Sequence, residues 1–237
     1  MPQPQLTITR KVSSSSSWSE IYNYILNGRA DSILSVGDSI DCVLKNGNHI
    51  KIDVAGINIY NQNEVVFCFH NIFDKMMMNE NRTNAGGFPQ AGMLAHLDDI
   101  FDLLPDDLQA IVTPRKIVQE FRNNRTGYKA KLWLPSLVEV FGIRYDQYDC
   151  EGMNADNRHL PIFQDPENIA KLFEGDSAHF WLRSPYTSYT NGFWFVTSTG
   201  CVSGDNATGA NGVVPCFSIS KTKEFIVCTE ELLSSFI

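Results

Sequence analysis

No apolar run in this 237-residue chain approaches the ~18 residues of a membrane-spanning helix, so no insertion into a membrane is expected. An excess of positive charge is missing too: 19 Lys and Arg stand against 27 Asp and Glu, a formal net charge of −8. That balance argues against a phosphate-backbone partner, so nucleic acid is excluded as the main ligand. Met1 to Ser19 is polar, with a serine tract at Ser13 to Ser17, and lacks the basic start and apolar stretch of a secretory signal. The six cysteines (Cys42, Cys68, Cys150, Cys201, Cys216 and Cys228) include no C-x-x-C pair, and their wide spacing indicates neither a zinc ribbon nor a disulfide framework. They read mostly as buried free thiols. No G-x-S-x-G, H-E-x-x-H, Walker loop or G-x-G-x-x-G occurs, which removes the common signatures of nucleophile elbows, zinc peptidases and nucleotide cradles. The chain therefore reads as non-enzymatic, with no cofactor and no metal.

Hydrophobic residues make up 43% and aromatics 11%, enough for a core without covalent staples, while 16 Gly and 10 Pro point to many loops. Trp18, Ile21, Tyr22 and Ile25 fall at helical spacing before Asn27-Gly28. Ile40, Cys42 and Leu44 alternate up to Asn46-Gly47, and Ile50, Ile52 and Val54 alternate after it, which predicts a hairpin. Val65 to His70 predicts a buried strand, Asn79 to Gln90 a surface loop, and Met93 to Leu104 a helix ended by Pro105. Further short helices are expected after Pro105, where Asp106 and Asp107 suit the helix dipole, from Leu137 to Phe141, and over Glu167 to Phe173. From His179 onward the pattern changes to short strands at 180–182, 193–197, near Val202, at 213–219 and at 224–228. No internal repeat is present.

Tyr186 to Asn211 is the most unusual stretch. Of its 26 residues, 17 are Ser, Thr, Asn, Gly or Ala and five are aromatic, and it holds a single charge, Asp205. This is the mixture of an antibody paratope, in which Tyr supplies broad contact at low entropic cost and Ser, Gly and Asn supply adaptable hydrogen bonding. Other candidate sites have plainer readings. His96 with Asp99 is a conceivable metal pair that reads as a solvated acidic face. Cys68 and His70 share one face of a strand but sit among core residues. Asp146, Asp149, Glu151, Asp156 and Asp165 lack the regular spacing of a calcium loop. Asn81, Asn124 and Asn206 match the glycosylation sequon without further support. Arg183, inside an apolar strand, reads as an internal salt bridge or a set of backbone contacts that holds the loop after it, in preference to a ligand contact.

At Trp181-Leu-Arg-Ser-Pro185 and Gly212-Val-Val-Pro215 the sequence resembles a family of uncharacterised domains of gut bacteria and their phages, similar to the C-type lectin-like fold of the formylglycine-generating-enzyme type. Gly86-Gly87-Phe88, the 93–104 helix, Leu132-Trp-Leu-Pro-Ser136 with Glu139 and Gly142, Glu151-Gly152, Trp18-Ser-Glu-Ile21 and Val36-Gly-Asp38 extend the resemblance over most of the chain. It implies an α+β, C-type lectin-like fold with short irregular strands, two or more helices and long loops. The expected organisation is a flexible start over 1–17, a small β-rich subdomain with the helix and hairpin over 18–59, and the lectin-like domain over 60–237.

Some members of that fold are the variable proteins of diversity-generating retroelements, whose template adenines are mutated so that Asn codons scatter into Tyr, Ser, Thr, Gly, Asp, Ala, Phe or Cys. The hypervariable region at 186–211 resembles this. The ligand-binding set it implies is Tyr186, Thr187, Ser188, Tyr189, Thr190, Asn191, Phe193, Phe195, Thr197, Ser198, Thr199, Ser203, Asp205, Asn206, Thr208 and Asn211. Tyr186, Tyr189, Phe193 and Phe195 are the expected anchors. Trp181, Arg183, Trp194, Gly200, Gly212 and Pro215 are the expected scaffold, with Val196, Val202 and Ala207 keeping strand register. The resemblance implies a receptor-binding protein on a phage particle that recognises a bacterial surface protein or glycan, with homo-oligomerisation left open. The Glu-Pro-Asn and Trp-Asn-Asp motifs of calcium-dependent sugar lectins are missing. Two alternatives remain: a formylglycine-type oxidase using Cys201 or Cys216, and a structural virion protein.

Overall fold

The side chain of Ser17 accepts the amide of Glu20 and starts the first helix, α1 (Trp18–Leu26), whose Trp18, Ile21 and Ile25 form one buried face. The computed structural model describes residues 17–122, 124–142, 158–186 and 188–221. Thr187, Cys150, Cys228, Asp146, Asp149, Glu151, Asp156, the strand expected at 224–228 and all but the last residue of the expected flexible start lie outside the described residues.

The hairpin after α1 forms as its alternation requires. Strands β1 (Ser39–Val43) and β2 (His49–Ile57) pair Ile40 with Ile52 and Cys42 with Ile50, and Gly47 adopts φ +85° in the connecting turn. β2 continues onto β3 (Glu64–Phe69), and β3 onto β13 (Cys216–Ser220), giving an antiparallel sheet in the order β1-β2-β3-β13. β3 and β13 are buried on both faces. α1 covers one of them, Trp18 meeting the edges of Phe67 and Phe217, which are themselves stacked at 5.2 Å. The expected boundary near residue 59 runs through this continuous sheet, so the helix and hairpin share a core with the rest of the chain.

A second sheet carries the unusual segment. Its order is β11-β10-β9-β12-β4, from β4 (Lys75–Met77), β9 (Phe180–Pro185), β10 (Gly192–Val196), β11 (Val202–Asn206) and β12 (Ala210–Gly212). Only the β9–β12 neighbours run parallel. Helices α2 (Met93–Leu103), α3 (Asp106–Gln109) and α4 (Leu137–Phe141) lie where the apolar spacing places them, and Gly142 ends α4 at φ +66°. The result is a mixed α/β fold, richer in strand than in helix, with four α-helices among the described residues.

Two ribbons depart from expectation. β5 (Arg115–Phe121) pairs with β6 (Asn124–Ala130) in a stretch whose charged residues hid the alternation. The helix expected over Glu167 to Phe173 is instead a single 3-10 turn, Pro166–Asn168, followed by β7 (Lys171–Phe173) and β8 (Asp176–Ala178). Glu174 and Gly175 join those strands with φ of +53° and +94°, the doubly positive turn that suits a two-residue hairpin and stops a helix.

Candidate functional site

β10 is buried along its whole length, which sorts the predicted contact residues at once. Phe193 has no exposed surface and Phe195 only 7%, Phe195 lying edge-on to Trp181 and stacked on His179. Both are core, and the expectation that they anchor a ligand is corrected: this strand is internal to its sheet and covered on both faces. Asn211 is also buried, its amide donating to the Asp205 carboxylate at 3.1 Å. It braces the turn above rather than facing out.

The remaining residues divide between two ends of the β10–β11 hairpin. At one end Ser188, Tyr189, Thr190 and Asn191 meet the 205–209 turn, where Ala207 N–H donates to the Asn191 carbonyl and Thr208 is exposed. At the other end Thr197 to Cys201 form a tight turn: Gly200 adopts φ +79°, and the Thr197 hydroxyl accepts the Cys201 amide. The strand between them spans roughly 13 Å at ~3.3 Å per residue, so one small ligand cannot touch both ends. Ser203 and Val202 lie half-buried along the edge strand. Gly200 is therefore scaffold through its backbone conformation rather than its burial, and Val202 is only partly covered, whereas Trp194, Val196 and Ala207 are buried.

The 186–192 end is held firmly. Asn84, itself fully buried in the long loop before α2, donates its side-chain amide to the carbonyls of Tyr186, Tyr189 and Gly192 at 2.7–2.9 Å. Its backbone N–H donates to the Thr190 carbonyl. Arg122, at the tip of the β5–β6 ribbon with φ +49°, donates to the Tyr189 carbonyl, and Arg82 donates to the Asn206 side chain. None of these three was identified from sequence, because Asn and Arg in polar loops look the same whether they hold a neighbouring loop or face water. The outcome is a preorganised loop from which Tyr189 projects with 63% of its surface exposed.

Tyr186 plays a different part. Its ring lies 3.9 Å from Trp194 and meets Tyr189 edge-on. The same ring occupies the space above Gly204, where an added Cβ would sit 1.7 Å from it. The residues at 186 and 204 thus cannot vary independently. Gly204→Ala is expected to cost about 1–3 kcal/mol by overpacking in the presence of Tyr186, and much less in a Tyr186→Ala background. Urea denaturation of the two single variants and the double variant measures the coupling; additive costs would contradict the contact.

Behind this surface stands an ionic cluster that fixes β9. Glu139, fully buried, closes a capping box with Ser136 at the start of α4 and receives Arg183, Arg115 at 3.0 Å and the Tyr60 hydroxyl at 2.6 Å. Arg183 has no exposed surface and also donates to the Leu134 carbonyl. Burial pushes the Glu139 carboxyl up, but the Arg183 and Arg115 guanidiniums outweigh that and hold it at about 2. Trp181 is buried and donates its indole N–H to the Met76 carbonyl, Gly212 passes so close to the His179 carbonyl that a Cβ would fall 2.7 Å from it, and the Pro215 carbonyl accepts the Phe69 amide.

The other sequence candidates do not assemble. His96 bonds Asp74 at 2.8 Å while Asp99 faces solvent, and no group of three metal-binding side chains occurs among the described residues. His70 bonds Asp53 rather than Cys68. Asp165 caps the 3-10 turn that follows it. Cys201 is exposed on its turn, whereas Cys216 is buried in the first sheet, where burial pushes its thiol well up. Neither lines the depression of about 710 Å³ bordered by Asp41, His49, Lys51, Asn71 and Phe73. No described helix is long and apolar enough to cross a membrane.

These features define a mixed α/β domain whose second sheet presents a braced polar and aromatic loop. The chain belongs to the family described as Domain of unknown function (DUF6273), whose model matches residues 62–221, from just before β3 to just past β13. Comparison with curated proteins and with solved structures yields no match to either.

Proposed function

We propose that the protein is a non-enzymatic ligand-binding protein of C-type lectin-like architecture, displaying a diversified surface that recognises a bacterial surface protein or glycan, as a phage receptor binder does. The observation that carries this reading is the combination of exposed Ser188, Tyr189, Thr190 and Thr208 with a backbone locked by Asn84 and Arg122. Rigid support beneath adaptable polar groups around one aromatic anchor lowers the ordering cost of binding. The contact set narrows to Ser188, Tyr189, Thr190, Asn191, Asn206 and Thr208, with Tyr186 as the platform under Tyr189. The 197–201 turn forms a second, separate patch.

Fluorescently labelled protein applied to a panel of gut bacterial cells should bind a subset of strains. Tyr189→Ala should weaken that binding at least tenfold and change stability by no more than about 0.5 kcal/mol, since the ring is largely exposed. Undiminished binding by this variant would refute the assignment. Trimers that bury the Tyr189 face would point instead to a structural virion component.

A further inference from the structure

We propose that Cys68 and Cys216 join in an intramolecular disulfide when the chain folds in the presence of a small-molecule disulfide such as oxidised glutathione, stapling β3 to β13. The two residues are direct partners across the antiparallel pair. Phe69 N–H donates to the Pro215 carbonyl, while the N–H and C=O of Cys216 both turn away to Trp133, at 2.7 and 2.9 Å. The pair therefore occupies a non-hydrogen-bonded site, where opposed Cα atoms lie about 4.5 Å apart, inside the range that a disulfide spans. The Cys68 thiol donates to its neighbour's carbonyl, Phe69, at 3.2 Å, and both cysteines are free thiols in this structure. The other described cysteines have no such partner: Cys42 faces Ile50 across its sheet, and Cys201 sits on an exposed turn.

The surroundings assign the roles. Cys68 also lies opposite Asp53 on β2, and buried Lys171 stands 3.9 Å from that carboxylate. In the docked chain contact with Cys216 and then the Lys171 ammonium favour thiolate at Cys68, while burial pushes the Cys216 thiol well up; before β13 docks the Cys216 contribution is missing and the Lys171 ammonium still points to Cys68 as the attacking sulfur. Cys68 thiolate attacks one sulfur of the oxidant, breaking its S–S bond, forming a mixed disulfide and releasing one thiolate. That thiolate takes the Cys216 proton; Cys216 then attacks the Cys68 sulfur and expels the second thiolate, which takes the Cys68 proton from solvent. Two protein thiols and one small disulfide become one protein disulfide and two small thiols. Both sulfurs are fully buried in the folded chain, so exchange occurs while β13 is docking. This inference does not depend on the binding role proposed above.

The test uses the full chain, unfolded with reductant, refolded in a mixture of oxidised and reduced glutathione, quenched with N-ethylmaleimide and mapped by mass spectrometry without reduction. The expected product is a linked peptide pair containing Cys68 and Cys216, with a melting temperature that falls on the order of 10 °C when dithiothreitol is added. Cys68→Ala and Cys216→Ala should each abolish that fall, and Cys42→Ala and Cys201→Ala should keep it. Full N-ethylmaleimide labelling of Cys68 and Cys216 at every glutathione ratio, or linkage of either to another cysteine, would overturn the proposal. The wild-type map decides the matter even if an alanine variant fails to fold.

Discussion

Glu139→Ala is expected to destabilise the protein by about 3–5 kcal/mol, because it strips a carboxylate from two buried guanidiniums at once. A domain of this size should then melt on the order of 10 °C lower. The loss should depend on pH in a defined window. The folded-state carboxyl titrates at about 2 against an ordinary value of 4.5, so its stabilisation is fully present above pH 4.5 and lost as pH falls toward 2. That difference corresponds to about 3 kcal/mol at neutral pH. Glu64 acts with the opposite sign: burial raises its pKa despite nearby Arg115, so its ionisation weakens the fold as pH rises above the ordinary carboxylate range. Urea midpoints of wild type and Glu139→Gln between pH 7 and pH 2.5 separate the two. The gap between the proteins should shrink as pH falls below 4.5, and a gap independent of pH would show that Glu139 is not held ionised by its arginines.

The same cluster shows what a single sequence reveals about this fold. Ser136 and Glu139 at capping-box spacing, with Gly142 behind them, locate a five-residue helix, yet the box does not disclose that its glutamate also serves β5 and β9. Local order was legible where periodicity and turn chemistry agree, as in α1, α2 and the Asn46-Gly47 hairpin. It was hidden where charged residues occupy strand positions, as in the β5–β6 ribbon. For the candidate site, composition marks the 186–211 segment as unusual but cannot tell which faces of a strand are covered. Phe193 and Phe195 therefore look like anchors in the sequence and are core in the fold, because β10 has a neighbour on each edge and cover on each face. The contacts that brace the loop come from Asn84, Arg82 and Arg122, 67 to 124 residues earlier in the chain, and long-range pairing of this kind leaves no periodic trace.

Asn84 should be the most sensitive residue of the proposed binding surface although it does not face solvent. One amide nitrogen serves three carbonyls of the 186–192 loop, and replacing it with alanine leaves all three without that donor. The expected cost is about 1–3 kcal/mol, with water filling the space. Hydrogen exchange of residues 188–192 should accelerate at least tenfold while the first sheet stays protected. Binding to cells should fall as far as in Tyr189→Ala, even though every contact residue is retained, because the loop must then be ordered at the moment of binding. Asn84→Asp is the harsher change. It sets a carboxylate against three carbonyl oxygens in a fully buried position, so the group must take up a proton, and even then offers one donor where the amide offered two. Its stability should lie several kcal/mol below wild type at pH 7, by the cost of burying an unpaired charge, and should recover partly as pH falls toward 4. Equal stability of the Asp and Ala variants across that range, or unchanged exchange in the loop of Asn84→Ala, would mean that the loop is held by its own sequence and not from below.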